Sequence, residues 1–276
     1  MKAEGRAGLT RRSLLVMAGA TITAAGCSAT SPTPGASPSY AVRPALSGKF
    51  ESSARLGRLV RWQVLTPNGT DPQGLPVVVF LHGKGGDHTM VDYWQPGLDE
   101  YARSGGTAMA LAGIDAGNTY YHPRASGEDA GKLITDEFIP LLADQGLDTS
   151  RLAFAGMSMG GYGALRLAGL LGADRLRAVV VSSPALWPQD DEYAPGAFDS
   201  PRDHAQHNVF GRQDDLTGMS VRVDCGLADP FLAATRGYLN GFATEVPHSY
   251  TEGGHNVAYW ESRVPVQLDQ LGAALG

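Results

Sequence analysis

Cysteine is the scarcest feature of this 276-residue sequence, in which only Cys27 and Cys225 occur. Cys27 lies in an N-terminal segment with the pattern of a processed signal, so we expect no disulfide within the remaining domain. The fold must therefore be stabilised by its core alone. The length is sufficient for one large domain with a full core.

An excess of positive charge and long apolar runs are also missing. The formal net charge is −6, and a negative surface repels phosphate backbones, which argues against nucleic acid as a partner. No stretch after residue 30 is long and apolar enough to span a bilayer. We find no internal repeat.

The N-terminus has the order basic, apolar, small that is typical of a secretory signal. Arg11 and Arg12 precede the apolar segment 14–25, and paired arginines indicate the export route for prefolded proteins. Cys27 follows, and in this the segment resembles bacterial lipoprotein signals. We therefore expect a twin-arginine lipoprotein signal over residues 1–27, a lipid on Cys27, and an exported chain anchored at the outer face of the membrane. An ordinary signal cleaved elsewhere is the alternative.

Strand and helix patterns alternate after a Ser/Pro-rich stretch, residues 28–45, that we interpret as a flexible tether. Residues 46–276 then form the predicted catalytic domain. The alternation predicts an α/β fold, with a mostly parallel sheet and helices on both faces. The opening strand is predicted over residues 55–66, at a sheet edge. Further strands are predicted over 76–81, 107–112, 152–155, 178–181, 218–226 and 244–250, and helices over 133–142, 231–240 and 257–271.

The chain is organised around a strand, a turn and a helix near residue 158. The apolar run 152–155 leads into Gly156-Met-Ser158-Met-Gly160, and a helical pattern follows. The pattern G-x-S-x-G in this context predicts a sharp turn that exposes the serine hydroxyl as a nucleophile. The two glycines are needed because a Cβ there would collide with the neighbouring strand and helix. A glycine-rich turn with an idle serine is the alternative interpretation.

A serine hydroxyl becomes a nucleophile when a histidine takes its proton and a carboxylate orients that histidine. Behind such a turn the acid comes first along the chain and the histidine second. Asp229 lies in a turn after a predicted strand, and His255 lies on a loop before the last helix. We therefore predict Ser158 as nucleophile, His255 as general base and acid, and Asp229 as the orienting carboxylate.

Other acids and histidines are weaker candidates for these roles. Asp224 stays the alternative acid, although it lies within a strand and is expected to be buried near Cys225 or against a helix. His248 falls in the last strand and is expected to be structural. His204 and His207 lie in a polar excursion, where a solvated surface is expected and a substrate contact is the alternative. They lack a carboxylate or cysteine partner at metal-ligand spacing, so we predict no metal site.

Two backbone donors are needed to stabilise the negative charge that develops on the acyl oxygen. The first is predicted to be the N–H of Met159, directly after the nucleophile. The second is predicted to come from the loop that starts at His82, with the Lys84 amide favoured and the Gly83 amide next. This loop lacks the spacing of a phosphate-binding loop.

Substrate contacts are predicted for His82, Tyr162 and Trp187. The long excursion 184–217 is rich in proline, aspartate and aromatic residues, and such insertions often wall a site. Trp187 and Phe198 line an acyl pocket in one interpretation and pack beneath the loop in the other.

Four motifs together resemble the α/β-hydrolase superfamily, and within it the esterase group that includes esterase D, feruloyl esterases and the mycobacterial antigen 85 mycolyltransferases. The motifs are Leu81-His-Gly-Lys-Gly-Gly86, Gly156-Met-Ser-Met-Gly-Gly-Tyr-Gly163, Asp224-Cys-Gly-Leu-Ala-Asp-Pro-Phe231 and Gly254-His-Asn-Val-Ala-Tyr-Trp260. The resemblance implies ester or thioester hydrolysis, or acyl transfer, through an acyl-enzyme and without a cofactor.

We therefore expect an exported, monomeric serine esterase that acts on small-molecule or lipid-like esters and touches the membrane only through its lipid anchor. A cell-envelope acyltransferase that passes the acyl group to a sugar hydroxyl is the first alternative. The sugar-binding residues of the mycolyltransferases are not recognisable here. A non-catalytic binding lipoprotein on a hydrolase scaffold is the second alternative.

Overall fold

The structure is a computed structural model, and it describes residues 42–189 and 192–276. The predicted signal with Cys27, and most of the predicted tether, lie outside the described residues. Within those two stretches, no helix has the length and apolar character needed to cross a membrane.

One sheet of eight strands forms the centre of the domain. The strands are β1 (Leu46–Ser52), β2 (Arg58–Leu65), β3 (Pro76–Leu81), β4 (Ala110–Ile114), β5 (Asp148–Met157), β6 (Ala178–Ser182), β7 (Ser220–Gly226) and β8 (His248–Thr251). Their order across the sheet is β1-β2-β4-β3-β5-β6-β7-β8. β2 is antiparallel to β1 and to β4, and all other neighbours are parallel. The predicted mostly parallel α/β sheet is thus confirmed.

Within residues 42–189 and 192–276, seven α-helical segments accompany the sheet: α1 (Gln95–Arg103), α2 (Ala130–Lys132), α3 (Ile139–Asp144), α4 (Met159–Leu171), α5 (Pro201–His207), α6 (Leu232–Leu239) and α7 (Val257–Leu275). A π-helical stretch, Leu133–Phe138, joins α2 to α3. Pro140 stands at the start of α3, and because proline has no N–H donor the regular α-helical ladder is interrupted there. Short 3₁₀ turns cover His88–Trp94 and Gln213–Leu216.

Two apolar cores lie on opposite faces of the sheet, because successive strand residues point to opposite sides. In β3, Val77, Val79 and Leu81 face one core, while Val78 and Phe80 face the other. The first core packs against α4, α6 and the α2–α3 segment, and the second packs against α1 and α7. Helices therefore cover both faces, as predicted.

The edge of the sheet differs from the prediction. The strand predicted at residues 55–66 is β2, which lies inside the sheet, and the edge strand is β1, which was not predicted. β1 is polar and glycine-containing, with half-buried residues alternating with exposed ones. Gly48 lies against the ring of Trp62, where an added Cβ would come within 2.8 Å, so a position that packs well carries no apolar signal.

Candidate active site

Ser158 occupies the sharp turn between β5 and α4. Its backbone has φ 53° and ψ −122°, a conformation that L-residues rarely adopt. A Cβ on Gly156 would lie 2.4 Å from the Gly160 carbonyl oxygen, and one on Gly160 would lie 1.8 Å from the Leu81 carbonyl oxygen. Both glycines are thus required by backbone collisions, with the helix in one case and with the neighbouring strand in the other, as the sequence predicted.

The side chains of Ser158, His255 and Asp229 form one hydrogen-bonded chain. His255 Nε2 lies 2.9 Å from Ser158 Oγ, and His255 Nδ1 lies 2.9 Å from Asp229 Oδ2. Since a carboxylate only accepts, Nδ1 carries the proton and Nε2 is left to accept from the hydroxyl. The three residues follow β5, β7 and β8, whose carboxyl ends meet at one edge of the sheet.

The Asp229 carboxylate is fully buried as a side chain but is held in its charged form. Its other oxygen, Oδ1, accepts a 2.9 Å hydrogen bond from the Phe231 amide. Burial opposes ionisation, but the contacts with His255, Ser183 and the Phe231 amide outweigh it and hold the pKa of Asp229 below its ordinary value. The charge at this position favours the Nδ1–H tautomer of His255.

The alternative acid, Asp224, is engaged elsewhere. It is completely buried, as predicted. Its carboxylate accepts hydrogen bonds from Arg222 Nε at 2.9 Å, Ser249 Oγ at 2.7 Å and Gln267 Nε2 at 3.0 Å. It therefore ties β7 to β8 and α7, and Asp229 is the acid that contacts His255.

The loop after β3 is fixed by the side chain of His82. The Ala116 N–H donates to His82 Nε2 at 3.0 Å, so Nδ1 carries the proton and donates to the Gly83 carbonyl at 2.8 Å. Burial lowers the pKa of His82, consistent with a neutral ring. In a trans peptide the carbonyl and the next N–H point in opposite directions. Holding the Gly83 carbonyl at His82 therefore turns the Lys84 N–H away from that ring.

Further contacts hold this loop beside the nucleophile. The Gly86 amide also donates to the Gly83 carbonyl at 3.0 Å, and the Gly85 amide donates to Asn118 Oδ1 at 2.6 Å. A Cβ on Gly83 would lie 3.5 Å from Ser158 Cβ, so the loop backbone lies directly against the serine.

Met159 is the first residue of α4. An N–H in the first turn of a helix has no carbonyl one turn earlier to bond, and it points along the positive end of the helix dipole. The Met159 N–H is thus free of intrahelical partners directly after Ser158, the position at which the sequence predicted a donor.

Two of the three side chains predicted to contact substrate lie in the interior instead. His82 and Tyr162 are 1% and 2% exposed. Both His82 nitrogens contact backbone groups, and the Tyr162 hydroxyl donates to the His207 carbonyl at 2.8 Å. Neither offers a free polar atom, so neither is placed to donate to or accept from a substrate. Trp187 is half-buried.

An aromatic row extends away from His255. The distances between ring centroids are 5.3 Å from His255 to Phe231, 5.5 Å from Phe231 to Trp187 and 5.7 Å from Trp187 to Tyr120. Phe231 was not among the predicted substrate residues, whereas the stretch that begins at Tyr120 follows a predicted strand and was a further candidate to approach the site. The sequence feature that could have identified Phe231 is its position two residues after Asp229. There its amide donates to the Asp229 carboxylate and its ring lies beside that of His255.

The excursion 184–217 also differs from expectation at its two histidines. His204 is 1% exposed rather than solvated. His207 has the carboxylate partner that spacing alone did not reveal, because its Nδ1 lies 2.8 Å from Asp203 Oδ1. His122, from a distant loop, lies close to Asp203 and His207. Phe198 is buried and packs against the rings of Tyr162 and Trp187.

Together, the sheet order, the serine turn and the site at the carboxyl ends of the strands define an α/β-hydrolase. The sequence profile of the family described as "Putative esterase" matches residues 53–271. The chain therefore belongs to this esterase family, and it is a carboxylic ester hydrolase.

Solved structures give the same fold at low sequence identity. A ferulic acid esterase is 20% identical with a TM-score of 0.70, over 84% of this chain and 98% of that one. An S-formylglutathione hydrolase from Agrobacterium tumefaciens is 17% identical with a TM-score of 0.68, over 83% and 95%. The Staphylococcus aureus S-formylglutathione hydrolase is 18% identical with a TM-score of 0.65, over 82% and 97%. No curated protein matches the chain.

Proposed function

We propose that the chain is an exported serine esterase that hydrolyses its substrate through an acyl-enzyme on Ser158. The observation that carries this proposal is the position of His255, whose two ring nitrogens lie 2.9 Å from Ser158 Oγ and 2.9 Å from Asp229 Oδ2. A base within hydrogen-bond reach of a hydroxyl, and itself oriented by a buried carboxylate, is the arrangement that activates a serine.

In the first half of the reaction, Ser158 Oγ attacks the acyl carbon while its proton moves to His255 Nε2. The charge that forms on the acyl oxygen is stabilised by the N–H groups of Met159 and Lys84. The orientation of the Gly83–Lys84 peptide, fixed by His82, supports Lys84 for this role over Gly83. His255 then gives the proton to the leaving alcohol, and the acyl group stays on Ser158.

In the second half, water takes the place of the alcohol. His255 accepts a proton from the water as it attacks the acyl-enzyme, and returns that proton to Ser158 Oγ as the acid departs. The Asp229 carboxylate stabilises the imidazolium that forms in each half. No cofactor is needed in this scheme, because the side chains named move every proton.

The acyl group is expected to be apolar and flat. The row of Phe231, Trp187 and Tyr120 begins at His255, so a group attached to the reacting carbon lies within reach of aromatic faces. The ferulic acid esterase among the similar structures is named for an aromatic acid, which agrees with this expectation. A sugar hydroxyl in place of water would give acyl transfer, and product analysis with a sugar acceptor distinguishes the two reactions.

The test is hydrolysis of p-nitrophenyl esters by the wild type and by Ser158→Ala. Loss of the nucleophile is expected to lower kcat by roughly a thousandfold or more. Asp224→Asn is the matched comparison for Asp229→Asn, because both replace a buried carboxylate. Among folded variants, Asp229→Asn is expected to lower kcat and Asp224→Asn is not. Equal rates for the wild type and Ser158→Ala would exclude the proposal, and so would a fluorophosphonate probe that fails to label Ser158.

Export and anchoring are proposed from the first 27 residues alone. Arg11 and Arg12 before an apolar segment, and a cysteine after it, support a twin-arginine lipoprotein signal. Growth with a labelled fatty acid is expected to label the wild-type chain and leave Cys27→Ala unlabelled. Label that persists in Cys27→Ala would place any lipid elsewhere, and absence of label from both would favour an ordinary signal.

A further inference from the structure

A second group of polar side chains lies beside Phe198, the buried ring that packs against Trp187 of the aromatic row. This group takes no part in the chemistry above. His122 comes from the loop before α2, and Asp203 and His207 come from α5. One nitrogen or oxygen of each side chain lies within 4.8 Å of the other two. Asp203 Oδ1 is 2.8 Å from His207 Nδ1 and 3.9 Å from His122 Nδ1.

His122 cannot satisfy these surroundings as a neutral ring with one N–H. The residue is 0% exposed. Its Nε2 lies 2.9 Å from the Ala197 carbonyl oxygen, and its Nδ1 lies 2.9 Å from the Pro123 carbonyl oxygen. If Nε2–H donates to Ala197, the lone pair of Nδ1 faces Pro123 and Asp203, which are both acceptors. Buried lone pairs that face one another are costly, and a cation bound between them would remove that cost.

The contacts around His122 and Asp203 are those that orient metal ligands, and His207 Nδ1, which also lies 2.9 Å from the Asp203 carbonyl oxygen, must release its proton to bind an ion. A metal-binding histidine typically donates its other N–H to a backbone carbonyl, as His122 does to Ala197. The second oxygen of Asp203, Oδ2, accepts from the Asp199 amide at 2.8 Å, which leaves Oδ1 directed at the two imidazoles. The nearby Arg124 guanidinium is paired with Asp199 at 2.7 Å, so its charge is neutralised.

We propose that His122, Asp203 and His207 bind a divalent transition-metal ion of the zinc class. Two imidazole nitrogens and one carboxylate oxygen suit zinc, whereas calcium and magnesium take oxygen ligands almost exclusively. The ligand atoms of a tetrahedral zinc ion lie about 3.3 Å apart, between the 2.8 and 3.9 Å measured from Asp203 Oδ1. The Pro123 carbonyl or a water molecule completes the coordination.

The ion would have a structural role. It joins two segments of the chain, the loop that carries Tyr120 and the excursion that carries Trp187. The rings of these two residues are members of the aromatic row. The His122 ring is also stacked at 4.9 Å on Phe198, which lies 6.1 Å from Trp187. Binding is therefore expected to stabilise the wall of the site without taking part in the reaction at Ser158.

Zinc binding can be measured directly on the metal-stripped, untagged full chain, by equilibrium dialysis against micromolar zinc followed by metal analysis. We expect one zinc ion per chain in the wild type. His207→Gln and Asp203→Asn are each expected to weaken binding at least tenfold. His248→Gln removes a half-buried histidine far along the chain and is expected to leave binding unchanged.

A thermal scan gives a readout that is independent of esterase activity. Zinc at one hundred times its Kd is expected to raise the Tm of the wild type and of Ser158→Ala alike by about 5 °C or more, and that of His207→Gln by much less. Wild-type protein that binds no zinc overturns the proposal and leaves a proton on His122 as the cation. Equal binding by the wild type, His207→Gln and Asp203→Asn overturns it as well.

Discussion

At the scale of single residues, the site depends on small groups that decide where the backbone can go. Ser158 keeps its unusual φ of 53° because glycines on both sides let β3, β5 and α4 approach one another. Both ring nitrogens of His82 contact backbone groups, and one of these contacts helps to set the direction of the Gly83–Lys84 peptide. Both features place a reacting group by controlling a neighbour, so substitutions can separate position from chemistry.

Replacement of His82 by alanine is expected to reduce kcat while KM changes little. The substitution removes one of the two hydrogen bonds that hold the Gly83 carbonyl and leaves the one from the Gly86 amide, so the Lys84 N–H, one of the two proposed donors to the acyl oxygen, is oriented less firmly. Complete loss of one such donor costs a factor of about 10²–10³ in kcat, which sets the upper bound of the expected effect. Steady-state kinetics on a p-nitrophenyl ester measures both constants.

Tyr121→Phe is the control for His82→Ala. The Tyr121 hydroxyl donates to the His82 carbonyl at 3.1 Å, so its removal loosens the same loop without releasing the Gly83 carbonyl. It should retain most of the wild-type kcat. A His82→Ala protein with wild-type kcat would show that the Lys84 amide is either not used or oriented by other contacts.

Two glycine-to-alanine substitutions are expected to have opposite effects on stability. Gly160→Ala places a methyl group 1.8 Å from the Leu81 carbonyl oxygen, a backbone atom that cannot move aside; we expect a loss of about 3 kcal/mol or more, or failure to fold. Gly237→Ala lies in α6, where the nearest atom is 3.9 Å away, and should gain about 0.5–1 kcal/mol from helix propensity. Urea unfolding compares the two, and a Gly160→Ala protein of wild-type stability would contradict the collision.

The reacting side chains could be proposed from the sequence because their motifs are local. Ser158 sits in a strand-turn-helix pattern, and Asp229 and His255 each follow a strand. His82 and Tyr162 were harder, because a histidine or tyrosine beside a nucleophile looks the same in sequence whether it faces substrate or the interior. Only the partners of their polar atoms distinguish these cases, and those partners are 34 and 45 positions away.

At the scale of elements, we expect the excursion between β6 and β7 to determine which acyl groups fit. Trp187→Ala opens the aromatic row between Phe231 and Tyr120. We expect kcat/KM for a bulky aryl ester to fall by roughly tenfold, and that for the acetyl ester to change little. Hydrolysis of an acyl-length series measures the difference, with Leu170→Ala, an exposed residue of α4, as the control. A uniform loss across the series would assign Trp187 a structural role.

How well each strand could be predicted from the sequence depends on how fully it is buried in the sheet. β3, β6 and the second half of β5, residues 152–157, are buried on both faces and read as continuous apolar runs. β1 lies at the edge with every second residue exposed, and its packing partner for Trp62 is a glycine. The strand predicted at 244–250 begins only at His248, after Pro247, which has no N–H to give to a ladder.

At the scale of the whole molecule, stability is expected to depend on pH through His88 and Asp115. Their side chains lie 2.8 Å apart. The hydrogen bond with Asp115 raises the pKa of His88 above its ordinary value. Burial opposes ionisation of Asp115, but hydrogen bonds from the His88 ring and amide lower its pKa to about 2. The pair therefore stabilises the folded state most when both groups are charged.

The sign of the effect follows for each partner. The contribution of His88 is complete below its unfolded pKa of about 6.5, and is lost as the pH rises through its higher folded pKa. That of Asp115 is present above about 3.9, and is lost as the pH falls toward 2. The Tm of His88→Gln should thus lie furthest below that of the wild type near pH 5.5, and the gap should narrow toward pH 9. A gap that stays constant over this range would contradict the ion pair.

Backbone strain is distributed unevenly over the molecule. In the part of the chain that the structure describes, five residues other than glycine have a positive φ, and four of them surround the reaction centre: Tyr120, Tyr121, Ser158 and Ser183. Such conformations each cost on the order of 1–3 kcal/mol, which the two apolar cores must outweigh. Substitutions that relieve a positive φ at these residues, for instance Ser183→Gly, are therefore expected to raise the free energy of unfolding. We expect slower turnover as the cost of that gain, because Ser183 contacts the carboxylate of Asp229, the proposed acid.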